Sequence, residues 1–312
     1  MLNYDLLSKK PSNFRNFTGL EVPEFNTLNI KIQEKYAAYE EKRLTREDRK
    51  RTVGAGHPFK HSLTNRTLIL LLYYHIYPSS TLLGYLVDLS QTSVLKNIRN
   101  LEPLVSEILP LPKKQYDKLK RLQTVEEIEA MFPGFKAAID ATDQQIPRPH
   151  AKLKRKTHYS GKRKKHTVKT QLTVNQVGRI IHKTAHAKGS THDYSLFKHS
   201  RPHLPASVQA ILDLGYKGIK KDYPSFNCAV PFKRQSPGRG KRGVKAQALT
   251  FEQKAFNSNL SRDRIVVEHI FSRLKKYHIW ADEFRNRLKH YDMMTDNVCG
   301  LLNFRIMGTI IV

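Results

Sequence analysis

Apolar positions recur at helical spacing through the first third of the chain and at strand spacing after it. A helical pattern covers Leu28–Glu40, behind a loosely apolar lead-in. Three more helices are predicted between Leu63 and Leu109. NRTLILLLYYHIY is apolar on all sides and so buried, STLLGYLVDLS is shorter, and QTSVLKNIRNLEPLVSEIL has one apolar face. Arg43–Lys60 is basic, ends near GAGHP and reads as a connector, and Pro110–Lys120 reads as a linker. Thr124 and Glu127 form a capping box for a short helix that Pro133-Gly134 ends.

From Lys136 the period shortens to two. KAAIDATDQQI, HTVKTQLTVNQ and RIIHKTAHAKG read as strands, the second turning into the third at Asn175-Gln176-Val177-Gly178. DYSLFKHS reads as a helix, VQAILDLGY as a buried fourth strand and NCAVPFK as a fifth. Helices are predicted over Leu249–Asn259, Arg262–Trp280 and Phe284–Asn303, with Ser261 as an N-cap stapled by Leu260 and Ile265. Three strands, a helix, two more strands and closing helices make an α/β order. It fits a ribonuclease H-like mixed five-stranded sheet with flanking helices, preceded by an all-α domain. The predicted boundaries are 1–62 for a lead-in and basic connector, 63–123 for the helical domain and 124–312 for the α/β domain.

The join between the second and third buried helices carries a further signal. Asp88-Leu89-Ser90 makes a tight break, and Gln91-Thr92-Ser93 opens the next helix. That helix buries Val94, Leu95, Ile98 and Leu101 and leaves Gln91, Ser93, Lys96, Asn97, Arg99 and Asn100 toward solvent. A short helix, a brief turn and a polar-fronted helix is the helix-turn-helix pattern, with Gln91, Thr92, Ser93, Lys96 and Arg99 as candidate DNA contacts. An ordinary helical bundle has the same pattern.

Charge narrows the partners. The 312 residues hold 55 Lys+Arg against 27 Asp+Glu, a formal net charge of +28, which favours polyanions. The longest apolar run, Leu68–Tyr74, falls far short of the roughly 20 residues of a membrane helix. The N-terminus lacks the apolar core and cleavage site of a secretory signal, and two cysteines make no disulfide framework. A reducing interior is expected: cytoplasmic, and nucleoid-associated in a bacterium. RNA-binding or ribosomal roles fit the charge equally well.

In so basic a chain three acids stand out. Asp140 closes the strand Ala137–Ile139, Asp213 closes Val208–Leu212 ahead of Gly215, and Glu268 lies on a helical pattern. On a helical wheel Arg264 falls about 40° and Lys275 about 20° from Glu268, with Val266, Ile270, Leu274 and Tyr277 opposite. Each acid alone has a plainer explanation, as a strand-end or helix-surface carboxylate. Asp193, in THDYS, competes for a place but is more simply a helix cap. His182 and His186 are four apart on a predicted strand, which is no helical metal pair.

The order IDATDQQI, YSGKRKKHTVKTQLTV, GSTHDYSLF, LDLGYKG and RIVVEHIFSRLKK resembles the DDE-superfamily transposases, nearest to the insertion-sequence-five group and its Harbinger-type relatives. The resemblance covers about Phe132 to Phe304 and extends to the helices before it. It implies a catalytic and metal-binding triad of Asp140, Asp213 and Glu268. Arg264 and Lys275 fall on the basic positions of the glutamate helix and would hold DNA. Ser261 stands where related families carry a tyrosine.

Carboxylates are the ligands magnesium prefers, and two ions about 4 Å apart can activate a nucleophile and stabilise a leaving oxygen. The expected cofactor is two Mg²⁺ ions, with Mn²⁺ able to substitute. The expected partners are double-stranded DNA, both element terminal repeats and target, and further copies of the chain in a homodimer or larger synaptic assembly. Two basic stretches, Arg148–Lys165 and Lys233–Lys245, read as loops that clamp DNA strands. A non-catalytic DNA-binding protein and a nuclease of the same fold are the alternatives.

Overall fold

The polypeptide begins with six helices: α1 (Tyr4–Ser8), α2 (Pro11–Thr18), α3 (Val22–Leu44), α4 (Leu63–His75), α5 (Ser80–Val87) and α6 (Gln91–Ile108). The α/β part follows with α7 (Pro112–Leu119), α8 (Val125–Met131), β1 (Lys136–Gln145), α9 (Lys152–His158), β2 (Tyr159–Ser160), β3 (Lys165–Asn175), β4 (Ile180–Lys183) and β5 (Ala187–Lys188). It continues through α10 (Asp193–Ser200), β6 (Gln209–Ile211), α11 (Ile219–Asp222), β7 (Cys228–Ala229) and α12 (Phe251–Leu274), and the chain closes with α13 (His278–Ala281) and α14 (Tyr291–Ile310). This computed structural model describes residues 1–45, 52, 57–234 and 248–310. Most of the connector Arg43–Lys60 and of the basic stretch Lys233–Lys245 lies outside the described residues. Two units result: Met1–Leu111 together with the chain from Leu274 on, and Pro112–Arg273.

In the helical unit α4 is buried from Arg66 to Tyr74, as its unbroken apolar run requires. A buried guanidinium needs partners. Arg66 donates to Asn97 Oδ1 at 2.8 Å and to the Tyr36 hydroxyl at 2.6 Å, and lies 3.6 Å from the Phe59 ring centroid. Asn97, expected toward solvent, is buried against Arg66. Serines cap the next two helices: Ser79 accepts from the Leu82 amide and Ser90 from the Ser93 amide. Between them Asp88 adopts the left-handed conformation, φ 54°, and Gly84 leaves room for the Leu89 carbonyl, which a Cβ would meet at 2.5 Å.

The second unit is built on a seven-stranded mixed sheet. β1 pairs antiparallel with β3, and β3 with β4; β6 joins β1 in parallel and β7 joins β6 in parallel. The path β4–β3–β1–β6–β7 is compatible with a ribonuclease H-like domain. Two short strands, β2 and β5, also pair with β3 and raise the expected five to seven. β2 lies in the first basic stretch, before β3, and β5 arises because RIIHKTAHAKG is not one strand. At Thr184 the side chain accepts from the Gln171 amide, the ladder stops, and pairing resumes at Ala187.

Other elements also differ from expectation. Much of the supposed linker is α7, whose Leu119 packs with Ile181 and Val208. The first basic stretch contains α9, over KLKRKTH, where no Gly or Pro interrupts. α12 runs unbroken through Ser261, which is therefore no N-cap. The last helix starts at Tyr291 rather than Phe284. Among the described residues no helix is long and apolar enough to cross a membrane.

Candidate active site

Strand register brings the first two acids together. Ala138 on β1 is paired in parallel with Ile211 on β6. Two residues further along each chain come Asp140 and Asp213, and Asp213 keeps extended backbone. Neighbouring strands run about 4.8 Å apart, so the two carboxylates emerge side by side. Asp140 does not end its strand, which continues to Gln145 along β3; it is β6 that stops. Asp140 thus sits where its neighbour has ended and the sheet edge opens.

The pleat decides which side each residue takes. Ile139 points into a cluster with Phe197, Tyr216 and Ile219. Ala138 and Asp140 therefore point to the other side, where α12 lies. Leu260 of α12 packs on Ile211 and Ala229, and the Lys136 ammonium pairs with Asp263 at 2.7 Å. These contacts fix α12 so that Arg264 reaches Asp140 Oδ2 at 3.9 Å and Glu268 Oε1 at 2.7 Å. Val267, Ile270, Phe271 and Leu274 form its buried face, with Val266 only half-buried, and Glu268 is exposed. Lys275 follows the last residue of α12 and is exposed.

Burial pushes the Asp140 carboxyl up to about 6; the Ala141 amide opposes this, Asp213 adds to it, Arg264 opposes it and Asp193 adds to it. The Asp140 carboxylate accepts from its own neighbour's amide, Ala141 N–H at 2.8 Å, and Asp213 Oδ1 accepts from Gly215 N–H at 2.8 Å. Two carboxylates side by side, one in a poorly solvated position, suit a hard divalent cation, since oxygen donors and excess negative charge are what such an ion requires. The third acid does not join them here. Among the described residues no three His, Cys, Asp or Glu side chains stand at metal-ligating spacing, and Glu268 is bonded to Arg264.

Asp193 is not a capping residue. The N-cap of α10 is His192, and Asp193 Oδ1 instead accepts from the Lys169 ammonium at 2.6 Å. Lys169 is a buried lysine on β3, a polar residue in a strand covered on both sides. Next along that face, Gln171 accepts from the Tyr216 hydroxyl at 3.1 Å. Sequence reasoning passed over Lys169, Gln171 and Tyr216. The available signal was the alternation of Thr167, Lys169, Gln171 and Thr173 against Val168, Leu172 and Val174. His182, on β4, is half-buried beside Tyr116 at 4.6 Å between ring centroids, and its loss of solvent lowers it to about 4.

In the helical unit the candidate DNA contacts gather at the start of α6. Gln91, Thr92, Ser93, Lys96 and Arg99 are all exposed. Gln91 Nε2 donates to Ser80 Oγ at 3.0 Å, and Ser90 Oγ to Ser93 Oγ at 2.9 Å, so the turn is braced from both sides.

Residues 139–303 match the family model of the DDE superfamily endonucleases. Over 265 residues, 84% of this chain and 88% of the relative, the sequence is 29% identical to a probable transposase for insertion sequence element IS702 from Microchaete diplosiphon. No solved structure matches. The chain belongs to the DDE superfamily endonucleases, as a DNA-cleaving enzyme of the transposase kind.

Proposed function

We propose that this enzyme binds the terminal inverted repeats of its own insertion element, cuts the DNA at their ends and joins the freed 3′ ends to a target. Asp140, Asp213 and Glu268 are its catalytic triad. The observation that carries this reading is the parallel register that sets Asp140 beside Asp213, below a helix bearing Arg264 and Glu268 on one face.

Asp140 and Asp213 would hold divalent cations, magnesium by preference, with Glu268 completing the set once it leaves Arg264. Bound there, the ions would supply an activated oxygen nucleophile and charge neutralisation at the scissile phosphate. The chain's own part is positioning. The sheet holds two acids rigidly, α12 brings the third, and Arg264 and Lys275 offer cations to the DNA backbone near it. The basic segment of α9 and its flanks would add phosphate contacts that weaken steeply with salt.

Recognition is assigned to the helices of 63–123, read as a helix-turn-helix domain whose α6 offers Gln91, Thr92, Ser93, Lys96 and Arg99 to a major groove. Catalysis is assigned to 124–312, behind the lead-in 1–62. Synapsis of two element ends calls for at least two copies of the chain.

The test uses a plasmid carrying the flanking element ends, with Asp140→Asn, Asp213→Asn and Glu268→Gln. Each variant should lose cleavage in magnesium while still retarding the end duplex. Calcium in place of magnesium should support binding without cleavage. Full cleavage by any one variant removes that residue from the triad.

A further inference from the structure

The helical unit contains a cavity of about 650 Å³ between the start of α5, one side of α6 and the segment 285–290 that leads into α14. Its lining brings together Arg99, Arg285, Arg287, Lys289 and His290, and among the described residues no Asp or Glu lines it. Leu95, Ile98 and Met294 give it an apolar floor. Like charges are gathered against one wall only at an electrostatic cost, so a counter-charge is called for.

The segment is held in place by groups other than Arg287 and Lys289. The Tyr77 hydroxyl accepts from the Arg285 amide at 2.8 Å and from Asn286 Nδ2 at 3.0 Å, and the Tyr73 hydroxyl donates to Asn286 Oδ1 at 2.9 Å. The Arg285 guanidinium bonds the Tyr77 carbonyl and stacks on its ring, 4.1 Å from the centroid. Arg285 is thus the anchor. Arg287 and Lys289 are left exposed beside Arg99, which lies two turns along α6 from Thr92 on the same face. Burial and then the cations Lys289, Arg99 and Arg287 hold the His290 imidazole below its ordinary range, an electrostatic sign that these groups converge.

We propose that this cavity is a clasp for the sugar-phosphate backbone of duplex DNA, in which Arg287 and Lys289 take phosphates beside the α6 contacts. This rests on reading α5 and α6 as the recognition element. The cations are spread along a loop and a helix rather than aimed at one buried point, which suits successive phosphates better than a single small anion. A clasp of this kind adds affinity without sequence preference, so it fixes where the duplex lies while Gln91 and its neighbours read bases. The C-terminal stretch thereby acquires a role in DNA binding that the chain order does not suggest.

The full-length chain would be titrated by fluorescence anisotropy against a duplex copied from the flanking terminal repeat and against a scrambled duplex, over a salt series. The variants are Arg287→Ala/Lys289→Ala, Lys289→Gln alone, and Gln91→Ala. Losing two phosphate contacts should flatten the plot of log affinity against log salt by about 1.8, and the single variant by about 0.9. Both duplexes should weaken alike, with unchanged thermal melting. Gln91→Ala should instead reduce discrimination between the duplexes and keep the slope. A double variant with wild-type affinity and slope overturns the clasp. A wild type that binds both duplexes equally, with Gln91→Ala indistinguishable from it, overturns the recognition reading instead, and the slope still judges the clasp.

Discussion

Arg264 donates to Glu268 across one turn of α12, with 2.7 Å between Nη2 and Oε1, so the outermost acid of the proposed triad already has a cation beside it. The same Nη2 lies 3.9 Å from Asp140 Oδ2. One guanidinium therefore stands beside two acids of the proposed triad, and it favours the charged form of Asp140.

Arg264→Ala should consequently raise the midpoint of Asp140 above its present value of about 6, since Arg264 is a charge that favours the carboxylate there. Carboxyl carbon chemical shifts followed through a pH titration report this directly. A midpoint that stays put or falls would mean that Arg264 does not act on Asp140.

A second buried acid gives a stability test away from the triad. Glu102, on α6, is almost fully buried, accepts from the Tyr74 hydroxyl at 3.0 Å, and is pushed up to about 7 by burial, with the Tyr74 bond and then Arg99 opposing that. The folded state then holds a proton that the unfolded state has lost between about pH 4.5 and 7, so stability falls as pH rises through that window. Glu102→Gln should remove this dependence. The gain should be at most on the order of 3 kcal/mol above pH 7 and vanish near pH 4. Thermal melting at both ends of the range checks it, and equal effects at the two would contradict the assignment.

How much of this was legible in the chain varied with the range of the interaction. Strand β1 was legible over its length, KAAIDATDQQI against Lys136–Gln145, but not that Asp140 lies inside it rather than at its close. Asp-Ala-Thr-Asp-Gln resembles turn composition, and it stays extended only because Thr142 and Gln144 find partners in Thr170 and Val168 of β3. Likewise the sequence breaks the helix between Asn259 and Arg262, with Ser261 as a cap. Leu260 against Ile211 and Ala229, together with Lys136 on Asp263, carries the helix through. The proposed triad positions came from short motifs, which depend on neither of these element boundaries. The Lys169–Asp193 and Tyr216–Gln171 pairs join residues 24 and 45 apart, and nothing local in the sequence announces either partner.

Gly215 offers a probe of how tightly Asp213 is placed. A Cβ at this position would come within 2.9 Å of Asp213 Oδ1, and its φ is not in the left-handed region, so the cost falls on the carboxylate rather than on the backbone. Gly215→Ala should leave melting within about 1 kcal/mol of the parent. Cleavage should fall by up to about 100-fold, the loss expected when a reacting group moves by an ångström. Gel quantification of cut plasmid ends measures it. Parental cleavage would show that Asp213 tolerates displacement and is not a fixed ligand.

Asp193 is the acid whose role the Lys169 pair decides. With Lys169 buried, removing Asp193 alone leaves an uncompensated charge, which costs about 3–5 kcal/mol when a buried pair is broken from one side. Replacing both partners with apolar residues of similar size avoids that penalty. Asp193→Leu and Lys169→Met should therefore each lower the melting temperature, and the double variant should recover most of the loss. If Asp193 serves only to neutralise Lys169, the double variant should also cleave in magnesium at a rate near the parent's. A stable double variant that cannot cut would instead make Asp193 part of the reacting site, and the triad would need a fourth carboxylate.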